Sequence, residues 1–178
     1  MSNLKTLLSP LLGLIGRGHK VKESAIARFT YTVQCIGPDG KEKWSETFSN
    51  LVTTVGKTDI IDKYFKGSGY TAAWYLGLKG AGTAVVGDTL ASHAGWSEVT
   101  PYSGNRPAIT FGTTSGGSNT ATAVSYSCNG SATVAGAFVA SAASGTSGTL
   151  YSAGDFSGGS KIVASGDTLN VTLTVSAS

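Results

Sequence analysis

Any chemistry in this chain has to come from a short roster of side chains. There are two histidines, His19 and His93, and two cysteines, Cys35 and Cys128. A zinc site needs Cys, His or carboxylate ligands gathered at close spacing, and neither histidine has such neighbours in sequence. His93 is the one candidate general base, set in a loop near Trp96 and Glu98. The many serines form no Gly-x-Ser-x-Gly elbow. Val55-Gly56-Lys57-Thr58 is similar to the end of a phosphate-binding loop, but that loop needs a second glycine where Leu51 stands. Helix initiation explains the segment better.

The carboxylates give no pair of the kind glycosidases use. In the second half they are Asp88, Glu98, Asp155 and Asp167, and Asp88 and Asp167 each follow Gly and precede Thr-Leu, which is turn or cap placement. Trp74, Trp96, Tyr102, Tyr151 and Phe156 are the aromatics that a sugar-stacking platform would use. Core packing is the default for Trp74, which sits in an apolar run. For Trp96 and Tyr102, in a loop, core and interface stand even, so His93, Trp96 and Tyr102 are a candidate loop interface. The expectation is a non-enzyme with no catalytic, cofactor-binding or metal-binding residues.

Composition points the same way. Charged residues are 13% of the chain, about half the usual share. Gly, Ser, Thr and Ala dominate the second half. Few ions leave a surface that can meet neighbours broadly, because little charge must be desolvated. Residues 1–66 hold ten basic and six acidic side chains, a balance of +4, and residues 67–178 hold three and four, a balance of −1. The basic excess lies in the first residues without interleaved aromatics, so nucleic acid is not the expected partner. No segment has the eighteen or so apolar residues that span a membrane, and Leu7 to Ile15 lacks the basic start and cleavage site of a secretory signal. The cysteines fall on apolar phases of predicted strands and are expected as buried small hydrophobes, with a bridge between them as the alternative.

Those sparse groups must be positioned by two kinds of element. Leu4, Leu7, Leu8, Leu11, Leu12, Leu14 and Ile15 share one face of a helix, interrupted at Ser9-Pro10 and frayed by Gly13, Gly16 and Gly18. Such a segment is marginal alone and needs a surface, either its own domain or a neighbour. Residues 1–27 therefore read as an N-terminal helical arm.

From Arg28 the period becomes two. Phe29, Tyr31, Val33 and Cys35 alternate with polar residues, Pro38-Asp39-Gly40 turns the chain, and Trp44 and Phe48 line a second strand. Lys57 to Lys66 reads as a short amphipathic helix with Ile60, Ile61, Tyr64 and Phe65 on one face, capped by Thr54 or Thr58 and ended by Gly67. Ala73 to Leu78 reads as a central strand covered on both faces. Residues 80–105 read as a long loop, with one helical turn near 89–96. Strands are expected near 106–112, 121–128, 133–141, 148–151 and 168–176. The fold class is mostly β, a sandwich or jelly roll with the arm and one short helix, forming a single domain over 28–178.

Several stretches resemble a family of tailed-bacteriophage structural proteins. They are Asn50-Leu51-Val52-Thr53-Thr54-Val55-Gly56-Lys57, Tyr70-Thr71-Ala72-Ala73-Trp74-Tyr75-Leu76-Gly77-Leu78, Gly87-Asp88-Thr89-Leu90-Ala91-Ser92-His93-Ala94-Gly95-Trp96, Asn105-Arg106-Pro107, Gly148-Thr149-Leu150-Tyr151-Ser152-Ala153-Gly154 and Ser165-Gly166-Asp167-Thr168-Leu169-Asn170-Val171-Thr172. The resemblance covers about residues 28–176. It implies a virion protein that decorates or cements the capsid exterior, made in the host cytoplasm. Its partner would be the major capsid protein, with a homo-oligomer, dimer or trimer, on the shell. The arm is where attachment is expected, through Leu7, Leu8, Leu11, Leu12, Leu14 and Ile15, with Arg17, Lys20 and Lys22 adding electrostatic steering. A tail, collar or fibre component and a carbohydrate-binding module are the alternatives.

Overall fold

A computed structural model describes residues 27–70 and 72–177. The leucine-rich arm lies outside them, apart from Ala27. Alternation of Phe29, Tyr31, Val33 and Cys35 builds β1 (Arg28–Ile36), and the Pro38-Asp39-Gly40 turn returns the chain as β2 (Glu42–Ser49). Gly40 takes φ 76°, a left-handed angle glycine adopts freely. After β3 (Leu51–Val52) come helix α1 (Thr54–Ile60) and a single π-helical turn (Ile61–Phe65). The remaining strands are β4 (Tyr75–Gly82), β5 (Trp96–Val99), β6 (Ser118–Thr120), β7 (Val124–Ser127), β8 (Ala132–Val134), β9 (Gly136–Ala140), β10 (Leu150–Asp155), β11 (Lys161–Val163) and β12 (Thr168–Ser176).

The strands form a β-sandwich of two antiparallel five-stranded sheets. The first runs β2-β1-β12-β6, with β7 also paired to β12, and the second runs β3-β10-β9-β4-β5. A two-stranded ribbon, β11-β8, completes the set. Between the sheets, Tyr31, Val33, Leu169, Val171 and Leu173 of the first meet Leu76, Leu78, Ala137 and Val139 of the second. Each fully buried large side chain contributes about 1.5–3 kcal/mol. Two buried phenols tie the layers: the Tyr31 and Ser152 hydroxyls are 2.8 Å apart, and Tyr126 donates to the Leu76 carbonyl at 2.8 Å. Burial pushes both phenols above their ordinary pKa, so they stay protonated as donors.

The second sheet is covered on its other face as well. Phe138, Ala140, Leu150 and Ala153 form a smaller core beneath Leu90, from the loop between β4 and β5, and Trp96, the first residue of β5. This agrees with the central, doubly covered strand expected at Ala73 to Leu78, with β4 held between β9 and β5.

Elsewhere the structure corrects the expected boundaries. The strand expected over 106–112 reduces to isolated bridges at Ala108 and Phe111. Pro107 has no N–H for a ladder, and Arg106 is held by side-chain bonds instead. The expected strand 133–141 splits at Ala135, where pairing passes from β11 to β4 and β10. The strand near 148–151 extends to Asp155, and the long loop over 80–105 contains all of β5. Residues 89–95 form turns, not helix, because Thr89 and Ser92 satisfy each other's backbone groups, and Trp96 already belongs to β5.

The helix is capped by Thr53, one residue earlier than expected. Its hydroxyl accepts the Gly56 N–H at 3.0 Å and also donates to the carbonyls at the start of β10. A Cβ at Gly56 would collide with the Tyr151 backbone carbonyl, so this glycine serves close helix-to-strand approach.

Gly77 is fixed by similar crowding. It lies opposite Phe138 in the ladder, and the Phe138 ring occupies the space a Cβ would need. Gly77→Val is expected to destabilise the domain by about 1–3 kcal/mol in chemical denaturation, the usual cost of overpacking. An unchanged midpoint would show that the ring moves aside freely.

Candidate functional site

Two Gly-Asp-Thr-Leu turns use one device. In the first, Asp88 Oδ2 accepts the Val85 N–H at 2.9 Å and the Trp96 Nε1–H at 2.8 Å. In the second, Asp167 Oδ2 accepts the Ala164 N–H at 2.9 Å and Lys43 Nζ at 2.7 Å. Both carboxylates are buried. The turn placement expected for them is what they do, with a long-range donor added to each. Burial works against the Asp167 charge, yet Lys43 and the Ala164 N–H outweigh it and hold the carboxyl below its ordinary value.

Of the residues expected in a loop, His93 and Tyr102 do lie in one, whereas Trp96 opens β5 and pairs with Gly82 of β4. Trp96 is 6% exposed, stacked with His93 at 4.1 Å between ring centres and packed against Phe138 at 5.2 Å. His93 is half-buried, and its Nδ1 lies 3.0 Å from the Trp96 carbonyl oxygen. Tyr102 is 8% exposed and lies against Tyr126. Burial, then Glu98, pushes the Tyr102 phenol up to about 12. Of the other aromatics weighed for sugar stacking, Tyr151 and Phe156 are buried and Trp74 is half-buried.

Around this cover lie two buried cations. Lys79 has no exposed surface; its ammonium meets Asp155 Oδ1 at 2.6 Å and the carbonyls of Gly80 and Gly82, and sits 5.6 Å over the Trp96 ring. Arg106 is gripped on both forks by Glu98, at 2.8 and 2.7 Å, and donates to the carbonyls of Ala142 and Gly145 at 2.9 Å. Its guanidinium lies over Phe138 at 5.2 Å. These groups bind the loop after β4, the strand β5 and the β9–β10 connection to one another. Their chemistry is bracing: each cation has its anion and also donates to two backbone carbonyls.

Cys35 and Cys128 are free and buried, the first of the alternatives weighed for them. Cys35 pairs across to Leu169 of β12, while the Cys128 N–H binds Asp167 from the other side. One strand therefore separates them, about 9–10 Å in a ladder, beyond the roughly 7 Å a disulfide spans. Burial and then Asp167 push the Cys35 thiol up to about 11, so it stays a thiol. Among the described residues no three His, Cys, Asp or Glu side chains gather as a metal ion requires. No described helix is long and apolar enough to cross a membrane.

The open surface lies elsewhere, on the helical segment. Tyr64 is 81% exposed and Phe65 67%, their rings 5.0 Å apart, and Ile61 and Tyr70, also exposed, lie near them in the sequence. The expected apolar helix face does not bury. Ile60 packs on the core, while Ile61, Tyr64 and Phe65, in the π turn that follows, stay exposed. Lys63 Nζ binds the Gly69 carbonyl at 2.7 Å, folding the following loop back toward the turn. Tyr70 is fixed by Trp74, whose Nε1–H donates to the Tyr70 hydroxyl at 3.0 Å. Val85 and Val86, also exposed, adjoin the helix start through the bond from Thr54 N–H to the Val86 carbonyl. This ledge was missed in the sequence. The proposed attachment residues Leu7, Leu8, Leu11, Leu12, Leu14, Ile15, Arg17, Lys20 and Lys22 lie outside the described residues.

No family model matches the chain, and neither a curated protein nor a solved structure matches it.

Two outcomes follow for the braces. Arg106→Ala leaves the Glu98 carboxylate partly buried and two carbonyls without a donor, and should cost about 3–5 kcal/mol in denaturant unfolding. A loss under about 1 kcal/mol would class the pair with surface ion pairs. For Asp167, the folded carboxyl titrates below its unfolded value, so its stabilisation is full above about pH 4 and fades as pH falls through the folded value. Lys43 is raised, so its share is full below about pH 10 and fades only as pH rises past its folded value. The stability gap between the parent chain and Asp167→Asn should then be flat near neutrality and shrink in acid. A gap that is constant down to pH 2 would contradict this.

Proposed function

We propose that the protein is a non-enzymatic structural protein of a tailed-phage virion, one that decorates or cements the capsid by binding the major capsid protein on its exterior. The observation that carries this reading is the segregation of surface types. Buried ion pairs and aromatic rings brace the sandwich and its loops, while among the described residues the exposed aromatics, Tyr64, Phe65 and Tyr70, all fall in the helical segment and the loop that follows it. A braced body with a concentrated apolar edge is suited to adhesion, since a rigid surface loses little entropy on docking. The residue stretches similar to phage structural proteins support the same reading. They form the helix start, β4, the Asp88–Trp96 cover, the Arg106 clamp, β10 and β12.

In this reading the arm supplies attachment through Leu7, Leu8, Leu11, Leu12, Leu14 and Ile15, steered by Arg17, Lys20 and Lys22, and the copies associate on the shell as dimers or trimers. Binding to the assembled lattice alone would stabilise it by mass action. A carbohydrate-binding module is the second reading, favoured by the open ring faces of Tyr64 and Phe65.

Purified particles separate these readings. Decoration predicts a copy number comparable to that of the major capsid protein, and full-length chain that co-sediments with bare shells while a chain lacking residues 1–16 does not. Absence from mature particles, or equal binding by the truncated chain, would overturn the arm-mediated reading. A few copies per particle would assign the chain to the tail, collar or fibre. Binding to a glycan array that is lost in Tyr64→Ala, without shell binding, would favour the sugar reading.

A further inference from the structure

The contact between Lys79 and Asp155 differs from the other lysine–carboxylate contacts of the sandwich. Lys79 has no exposed surface, whereas the Lys43 and Lys161 side chains are 41% and 29% exposed. Lys79 on β4 and Asp155 on β10 both stand opposite Gly136 of β9, so they meet across the strand between them, over a residue with no side chain. Nζ comes within 2.6 Å of Oδ1. That oxygen is buried, yet no donor reaches it with the angles of a hydrogen bond. Nζ directs its hydrogen bonds at the Gly80 and Gly82 carbonyls instead. An amine and a carboxyl are thus pressed together without the directed bond that ion pairs normally make.

We infer that this pair condenses in the folded chain to an amide, an isopeptide link from Lys79 Nζ to Asp155 Cγ. The inference does not depend on the capsid reading. The step balances without another reactant. One ammonium proton passes to Oδ1, leaving an amine beside a carboxylic acid. Nζ attacks Cγ, and the carbonyl electron pair moves onto Oδ2, which the Ala84 N–H faces at 3.4 Å. As that pair returns, the Cγ–Oδ1 bond breaks, and Oδ1 leaves as water with a second proton from Nζ. The third proton stays on the amide nitrogen as a donor to one of the two glycine carbonyls. Nothing is oxidised or reduced.

Three features favour the reaction. The ladder holds the partners in contact, so attack costs little entropy. Two charges in a dry layer, against the Trp96 ring, give way to a neutral amide. The Asp155 side chain is 38% exposed, which gives the released water a way out. Cys35 and Cys128 are free, so this would be the one covalent crosslink among the described residues. It would hold β4 to β10 around β9 even when the sandwich opens.

Mass spectrometry of the purified full-length chain tests this. Its mass, corrected for any loss of Met1, should fall below that of the sequence by one water, about 18 Da. Trypsin cannot cut after an acylated lysine. Residues 67–161 should then stay in one piece, light by the same amount, whereas an unlinked chain gives 67–79 and 80–161, since Pro107 protects Arg106. Lys79→Met removes the amine but keeps an apolar stem, and should restore the full mass. Lys43→Met, at the exposed pair with Asp167, should leave the loss in place. A parent chain at full mass that trypsin cuts after Lys79 would overturn the inference, even if the variants fail to fold. A loss of water that survives in Lys79→Met, or that vanishes in Lys43→Met, would overturn it too, by placing the condensation elsewhere.

Discussion

The sheet β3-β10-β9-β4-β5 is buried on both faces, and most of the unusual chemistry in this protein follows from that. A sheet with one wet face can send its charges outward on alternate residues. Here β4 cannot: Leu76 and Leu78 face the main core, so Gly77 and Lys79 face the second, smaller one. Lys79 must then carry its charge into a dry layer, which is tolerable only with Asp155 and two carbonyls around it. The same layer has room for the Phe138 ring because its cross-strand neighbour, Gly77, has no side chain. Arg106 closes the edge, joining β5 to the β9–β10 connection. Buried ion pairs of this kind add little net stability compared with apolar packing, but they penalise any arrangement that separates them. Their consequence here is a single loop conformation over the sheet.

That constraint also explains which parts of the fold were legible in the sequence. Strands with one core-facing side announce themselves by period two, and β1, β2 and β12 were found that way, with Phe29, Tyr31 and Val33 or Leu169, Val171 and Leu173 on the buried phase. The doubly buried β4 was found by its continuous apolar run. Ala135 was not legible as a break, because nothing in its neighbourhood marks a change of partner strand. The bridges at Ala108 and Phe111 were read as a strand, since single bridges and ladders draw on the same residue types.

The candidate site divides along the same line. Asp88 and Asp167 were legible as turn residues from Gly-Asp-Thr-Leu, because an aspartate that binds its own turn needs only local geometry. Their second partners, Trp96 and Lys43, lie eight and 124 residues away, and no local rule names them. For the same reason Trp96 and Tyr102 stood undecided between core and interface. The helix was legible as amphipathic, but the π turn decides which residues share its buried face, and the sequence carries no simple mark of that turn.

The exposed ledge acquires its meaning from what surrounds it. Isolated exposed hydrophobes are ordinary on protein surfaces, and Ile162 on β11 is one. Tyr64, Phe65 and Tyr70 differ because the backbone under them is committed: Thr53 caps the helix onto β10, Gly56 admits it against Tyr151, and Trp74 pins Tyr70. Rearranging the segment to bury those rings would break these contacts, so the apolar surface cannot be hidden by the body that carries it. Phe29 packs against Tyr151 and Tyr151 against Trp74, so the ring that pins Tyr70 is itself tied into the sandwich, and the braces around Lys79 and Arg106 hold the loops on the opposite face of its second sheet.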